Sequence, residues 1–334
     1  MRVLWLALLL ASGQAAFACD PAPEPVISLS YGSRYEDDSK TRSKIDAKAD
    51  ADVDDAVRPV DDFLRALTTQ ANSLADPATD APAVADCLIA QLGTWAEAGA
   101  LSDLQSETSN LTVGSRLAGF GLVMLQVAPH ATRPEDTAVV LDWLTGLMRA
   151  QQRFWEAEAP NGARRGNLRA WAALGGSTLA ALTDDPALRA WAAWSASYVL
   201  CTAEADGSLP QEMSRGKFAL KYQLHAIAPL VVSVVLLDRQ GVSLTSICDQ
   251  ALARSIGFAL ADIDNGTASE AITGKRQSFF DGTDELEPFH LAWLEAWLLL
   301  APAADRPGLE AVADSYRPLT YSKLGGNQTL LWRP

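Results

Sequence analysis

Arg215, Tyr222 and His225 stand among apolar residues in a single stretch, DGSLPQEMSRGKFALKYQLHA, residues 206–226. At helical spacing Arg215 and Tyr222 are seven apart, about two turns, so both point the same way. A guanidinium beneath a phenol suits a phenol whose proton is meant to move. The plainer reading is a core tyrosine beside a snorkelling arginine. A tyrosine with an unperturbed pKa near about 10 is a poor base at neutral pH, so such chemistry needs neighbouring cations that favour the phenolate. His225 follows Tyr222 by three on nearly the same face. The other two histidines, His130 in APHATRP and His290 in EPFHLAWLEAW, read as surface or core residues.

Other chemistries are poorly served. DADVDDAVRPVD places Asp50, Asp52 and Asp54 at the odd spacing of a calcium loop. Asp55 stands where the sixth-position glycine is needed, and Pro59 follows. There is no HExxH, P-loop or GxSxG motif, and none of the four cysteines has zinc-ligand spacing. No metal or cofactor is expected.

The 334-residue chain opens MRVLWLALLLASGQAAFA, a basic residue, an apolar run and an A-x-A-like end before Cys19. This reads as a secretory signal over 1–18, too short in its apolar run to span a membrane. The apolar stretch Ile227 to Leu237 is also too short for a span, so an exported protein, periplasmic or secreted, is expected. The formal charge of −14 argues against nucleic acid and anionic lipid as partners. In an exported chain Cys19, Cys87, Cys201 and Cys248 can pair in three ways.

The elements that must position these groups are helices. Apolar residues at three- and four-residue spacing predict helices over 58–74, 82–99, 113–128, 135–153, 167–183, 187–203, 212–237, 244–260 and 286–302. Strand-like alternation is nearly absent. The polar segment between Cys19 and Val57 reads as a disordered leader or as a loop folding over a site. A second irregular segment covers 262–285, and no composition break divides the chain. Helices in antiparallel succession suit an α/α toroid or a plain bundle, and periodicity does not choose between them. Tryptophans such as Trp95, Trp143, Trp155 and Trp171 fall at helical spacing. Most belong to a core, and a few in a groove would give platforms for pyranose rings.

Several segments together resemble the alginate lyases of polysaccharide lyase family 5. LPQEMSRGKFALKYQLHA resembles that family's L-P-x-E-x-x-R-x-x-x-A-L-x-Y-H-x-Y-A, placing Arg215 and Tyr222 on its essential arginine and tyrosine. SRYEDDSKTRSKID resembles the family's lid, with Lys40 on its substrate-contacting lysine and Tyr35 and Arg42 on lid neighbours. DCLIAQLGTWAEAGAL resembles the helix bearing Cys87. NLRAWAAL resembles an Asn-Asn-His-x-x-Trp helix, with Asn167 on the second Asn and Trp171 on the Trp. KLGG at 323–326 resembles a C-terminal R-L-G-G and puts Lys323 at a substrate position. The chain departs from the family at four places. Gly166 replaces the first Asn, Leu168 the histidine, Gln223 the histidine after the tyrosine, and His225 the following tyrosine.

The resemblance implies an all-α fold, an incomplete α/α barrel of antiparallel hairpins around a central groove, formed by one domain over 19–334 with a lid near 31–50. It implies a Cys19–Cys87 disulfide and a monomer whose partner is an anionic polysaccharide; Cys201 and Cys248 are expected to stay reduced as buried small apolar residues. The implied activity is β-elimination. Arg215, Lys40 and Asn167 would neutralise the uronate carboxylate, and Tyr222 would remove the C5 proton and then protonate the 4-oxygen. One tyrosine can do both only where proton and oxygen share a face, as in mannuronate or glucuronate. With Leu168 in place of the histidine, guluronate and galacturonate blocks are expected to be poor substrates. A substrate C–H face or acyl group is expected against Leu168, and His225 is expected to compensate at the substrate. Two other readings follow from the same residues: a noncatalytic polysaccharide-binding component of an export apparatus, and an α/α-toroid glycoside hydrolase. The hydrolase needs two carboxylates flanking the scissile bond, for which Asp206, Glu212 and Asp284 are available.

Overall fold

Helix boundaries follow from side chains that cap them. Asp46 accepts from the amides of Lys48 and Ala49, Asp80 from Ala83, and Asp185 from Ala187 and Leu188. The structure, a computed structural model, describes residues 19–333, and the leader expected over 1–18 lies outside them. The helices are α1 (Ala47–Ala71), α2 (Ala81–Glu97), α3 (Glu107–Thr112), α4 (Gly114–Val127), α5 (Pro134–Ala157), α6 (Asn167–Thr183) and α7 (Pro186–Leu200). They continue as α8 (Pro210–Met213), α9 (Ala219–Arg239), α10 (Ile247–Asp262), α11 (Thr267–Thr273), α12 (Leu294–Leu300), α13 (Arg306–Asp314) and α14 (Gln328–Trp332).

Their sequences sort them into two rings. The residues of α4, α6 and α9 are buried nearly all round, whereas α5, α7 and α10 bury one stripe and expose the rest. Successive hairpins α4/α5, α6/α7 and α9/α10 therefore supply one inner and one outer helix each, after a first hairpin α1/α2, and α6 packs against α4, α7 and α9. This is the α/α toroid. Close approach of α4 to α6 depends on glycine: a Cβ at Gly114 would lie 3.0 Å from the backbone of Ala172. Two stretches, Glu107–His130 and Gly216–Arg239, are long and apolar enough to cross a bilayer. Their most apolar windows are 78% and 83% buried inside the protein, so this hydrophobicity belongs to core helices.

Both ends of the described chain are tied to the first hairpins. Cys19 is bonded to Cys87 on α2 with Cα atoms 5.4 Å apart. The chain then runs along α2, where Gln91 and Trp95 donate to the carbonyls of Asp20 and Pro23. It pairs as β1 (Ser28–Leu29) in parallel with β2 (Asp103–Leu104). At the other end β3 (Thr320–Tyr321) pairs with β4 (Gly326–Asn327), and Asn72 at the end of α1 holds this hairpin by accepting from the Asn327 amide at 2.7 Å.

Four expectations change. Cys201 and Cys248, expected to stay reduced, form a second disulfide. Here α7 ends beside the start of α10, and Cys248 to Gln250 take a left-handed turn before the regular helix resumes. The polar segment before Val57 is partly helix, because Asp46 caps α1 and Val53, Val57 and Val60 are buried at helical spacing. The helix expected over 212–237 is broken by Gly216 at φ +59 and a 3₁₀ turn, Gly216–Phe218. The one expected over 286–302 is a 3₁₀ turn, Pro288–Leu291, followed by α12.

Candidate active site

The inner helices all present their N-terminal ends to one cavity of about 390 Å³. Ser115 and Arg116 line it from the first turn of α4, Asn167, Leu168 and Trp171 from α6, and Tyr222 and His225 from α9. First-turn amides of these helices already have partners, Asn167 in Glu212, Leu220 in Gln277 and Arg116 in the Val113 carbonyl, so the charge that favours an anion comes from side chains. Arg34, Arg42, Arg116, Arg215, Lys221 and Lys323 also line the cavity, and Glu107 is the carboxylate among the described lining residues.

Tyr222 is the centre of the site. Its hydroxyl is hydrogen-bonded to the hydroxyl of Tyr35, which the Tyr35–Ile45 bridge of the 31–50 segment carries over the helix ends. Burial, then the adjacent Tyr222, pushes the Tyr35 phenol far above its ordinary pKa. Tyr35 therefore stays a phenol and can donate to the Tyr222 oxygen, and a bond in that direction favours negative charge on Tyr222. The break at Gly216 does not separate the pair expected to share one helix: Cζ of Arg215 lies 4.6 Å from the centroid of the Tyr222 ring. Nε of Arg215 is buried with no partner among the described residues.

Glu212 organises the start of α6. This fully buried carboxylate accepts from the Asn167 backbone at 2.7 Å and from its Nδ2 at 2.8 Å, doing for α6 what an N-cap side chain does elsewhere. Burial pushes its carboxyl up, opposed by Arg215 and the two Asn167 donors. Gly166 makes the contact possible, since a Cβ there would lie 2.6 Å from Glu212 Oε1.

Arg116, Lys323, Arg34 and Lys221 are held in place by carboxylates behind the wall. Arg116 grips Asp61 through Nε and Nη2, both at 2.8 Å, and Lys323 lies 3.7 Å from the same carboxylate. Burial, then Arg116, pushes Lys323 down to about 8, with Asp61 opposing. Arg34 pairs with Asp50 at 2.5 Å and Lys221 with Asp284 at 2.7 Å. Asp50, noted for its calcium-like spacing, serves here as a counter-ion on α1.

Of the residues singled out from sequence, the cavity brings together Tyr222, Arg215, Asn167, Tyr35, Arg42, His225, Trp171 and Lys323. Lys40 is exposed and does not line it; Arg34 and Arg42 are the cations this segment sends in with Tyr35. Sequence reasoning missed Arg34, Arg116, Glu212 as the partner of Asn167, and His290 on the cavity wall. Glu212 was within reach, because it lies three residues before Arg215 in the motif already quoted. Arg116 and Asp61 come from different helices and leave no local pattern.

Comparison with known proteins agrees with this geometry. The family model described as alginate lyase matches residues 30–268. A polysaccharide lyase of Stenotrophomonas maltophilia is 29% identical, covering 99% of this chain and 96% of the relative. An alginate lyase of Pseudomonas putida is 27% identical over 97% of this chain and 87% of its own. Among solved structures, a histidine-to-alanine variant of alginate lyase A1-III complexed with a tetrasaccharide superposes with a TM-score of 0.79. The two share 21% identity over 94% of this chain and 86% of the other. A crystal structure of the same lyase from Sphingomonas species A1 gives 0.74 at 20% identity, over 97% and 92% of the two chains.

Proposed function

The chain belongs to the alginate lyase family and is a polysaccharide lyase, and on that premise we propose that it is exported and cleaves a mannuronate- or glucuronate-containing polymer by syn β-elimination. The observation that carries this reading is the Tyr222 hydroxyl, hydrogen-bonded to that of Tyr35 above a ring that faces Arg215. As phenolate, Tyr222 removes the C5 proton of the uronate bound at the helix ends. The electron pair moves into the carboxylate as an enolate, stabilised by Arg215 and by the second N–H of the Asn167 amide. It then returns to form the C4–C5 double bond as the bond from C4 to the glycosidic oxygen breaks. Tyr222, now a phenol, gives its proton to that oxygen, leaving a free hydroxyl on one product and an unsaturated uronate on the other. Tyr35 keeps its own proton throughout and holds the Tyr222 oxygen in position.

One base-acid residue on one face selects substrates whose C5 proton and 4-oxygen are syn. Leu168 offers no hydrogen bond, so a hydroxyl placed against it would lose water without replacement, whereas a C–H face or acyl group fits. Hydrolysis is disfavoured because it needs two carboxylates across the scissile bond. Glu107 is the lining carboxylate among the described residues, and Glu212 is committed to Asn167. Export is supported by the leader pattern over 1–18 and by two disulfides in the mature part.

The test is incubation with polymannuronate, glucuronan, polyguluronate and polygalacturonate, followed by the ultraviolet absorbance of an unsaturated uronate end. Absorbance from the first two is expected. Rapid cleavage of polyguluronate with polymannuronate and glucuronan inert would overturn the single-tyrosine mechanism, and reducing ends without absorbance would mean hydrolysis.

A further inference from the structure

Leu168 brings no polar atom to the start of α6, yet the neighbouring helix α9 carries an imidazole of fixed protonation. The indole N–H of Trp171 can only donate, and it points at Nε2 of His225 at 3.0 Å. Nε2 must therefore present its lone pair, which leaves the ring proton of neutral His225 on Nδ1. Trp171 has no freedom to turn away. It is 2% exposed, on an inner helix, and packs edge-on against Tyr321 with centroids 5.7 Å apart. Burial, together with the charges of Lys323, His290, Lys221 and Arg215, pushes His225 down to about 3. The ring is thus held neutral around neutral pH. A neutral imidazole of this kind polarises an oxygen without competing for the proton being transferred.

Its position is the useful one. His225 lies one turn beyond Tyr222 on α9, lines the cavity, and sets its ring edge-on to the phenol with centroids 6.3 Å apart. Nε2 is occupied by Trp171, so Nδ1 is the nitrogen left for a ligand. We propose that His225 is a substrate-contacting donor, its Nδ1–H aimed at a carboxylate or hydroxyl oxygen of the uronate held against Tyr222, and that Trp171 is the positioning residue that fixes this tautomer. His225 is then neither the base nor a cation. It supplies a hydrogen bond on the α9 side that α6 cannot supply through Leu168. This rests on the lyase reading and adds to it a residue that sets where the sugar ring sits.

The chain has three histidines, so their nitrogens can be read one by one in ¹⁵N spectra of the whole protein, with His130→Gln and His290→Gln used for assignment. The expected result is a neutral Nδ1–H tautomer for His225 from pH 5 to 8, with its Nδ1 signal shifted by a bound mannuronate or glucuronate oligomer. Trp171→Phe keeps an aromatic ring and removes the indole donor, so His225 should become a mixture of tautomers. Asparagine can place an N–H where Nδ1 stood and leucine cannot. His225→Asn is therefore expected to keep kcat/KM within about tenfold, while His225→Leu loses on the order of a hundredfold, as removal of one aligned donor does. An Nε2–H tautomer, titration of His225 between pH 5 and 8, or equal losses in the Asn and Leu variants would overturn the proposal. Wild-type protein that gives no unsaturated product on any polymer would overturn the lyase reading instead. The tautomer and its response to an oligomer are measured without turnover and stand or fall separately.

Discussion

Gly166→Ala is a small change with a large expected consequence. Gly166 precedes α6 with φ −130 and ψ −167, extended backbone that alanine adopts freely, so the chain itself is not strained. The cost comes from space. The new methyl would lie 2.6 Å from Glu212 Oε1 and 2.7 Å from Gln211 Cγ. Gln211 is only half-buried and can turn aside. Glu212 is fully buried and its two oxygens hold the Asn167 amide groups at 2.7 and 2.8 Å. Moving the carboxylate loses at least one hydrogen bond to a charged acceptor, about 1.5–3 kcal/mol, and alanine is poorer than glycine ahead of a helix by about 0.5–1 kcal/mol. The sum is about 2–4 kcal/mol, and at roughly 2 °C per kcal/mol for a chain of this size Tm should fall by about 4–8 °C. Asn167 moves with the carboxylate, so turnover should fall by about a hundredfold, the scale of one misplaced oxyanion donor. Calorimetry and the ultraviolet assay read the two effects. Glu212→Asp withdraws the carboxylate by one carbon, so Gly166→Ala should cost much less in that background. A Tm within about 1 °C and turnover within about twofold of wild type would refute this account of the α6 N-terminus, as would strictly additive effects in the double variant.

Tyr222→Phe keeps the ring over Arg215 and removes the proton carrier, so turnover should fall by about 10²–10⁴-fold while polymer binding persists. Activity within severalfold of wild type would end its role as shuttle. Burial, first among the causes, holds His290 down to about 4, well below its unfolded value. Between about pH 6.5 and 4 the unfolded chain therefore takes up a proton that the folded one refuses, so this contribution to stability is present at neutral pH and lost as pH falls. Urea midpoints from pH 7 to 4.5 should show a shallower fall for His290→Gln than for wild type, and parallel curves would contradict this. The Cys201–Cys248 bond closes a span of 47 residues. Replacing both by serine should cost about 4 kcal/mol on the chain-entropy account, and a free thiol at either position in unreduced peptide maps would remove the claim.

Local pattern determined much of this protein. Helix periods, caps and prolines are written in consecutive residues, so most inner and outer helices could be placed from sequence to within a few positions. The spacing of Arg215 and Tyr222 marked the stretch that carries the site. Even there the physics was misread in part: the two meet through a left-handed glycine and a 3₁₀ turn, because Gly216 permits a backbone that a continuous helix excludes. The resemblance of the segment before α1 to the family's lid suggested Lys40, but lysine and arginine side chains reach several ångströms in any direction. Only the fold of that loop decided that Arg34 enters the cavity and Lys40 faces solvent. Pairings between distant segments were out of reach for the same reason. Glu212 with Asn167, Asp61 with Arg116 and Lys323, and Trp171 with His225 join groups from separate elements of the toroid. Such contacts depend on how inner helices pack and on which of their ends converge. Sequence fixes which groups are available for proton transfer, and packing fixes which carry charge, because burial and neighbours arise only when the helices meet.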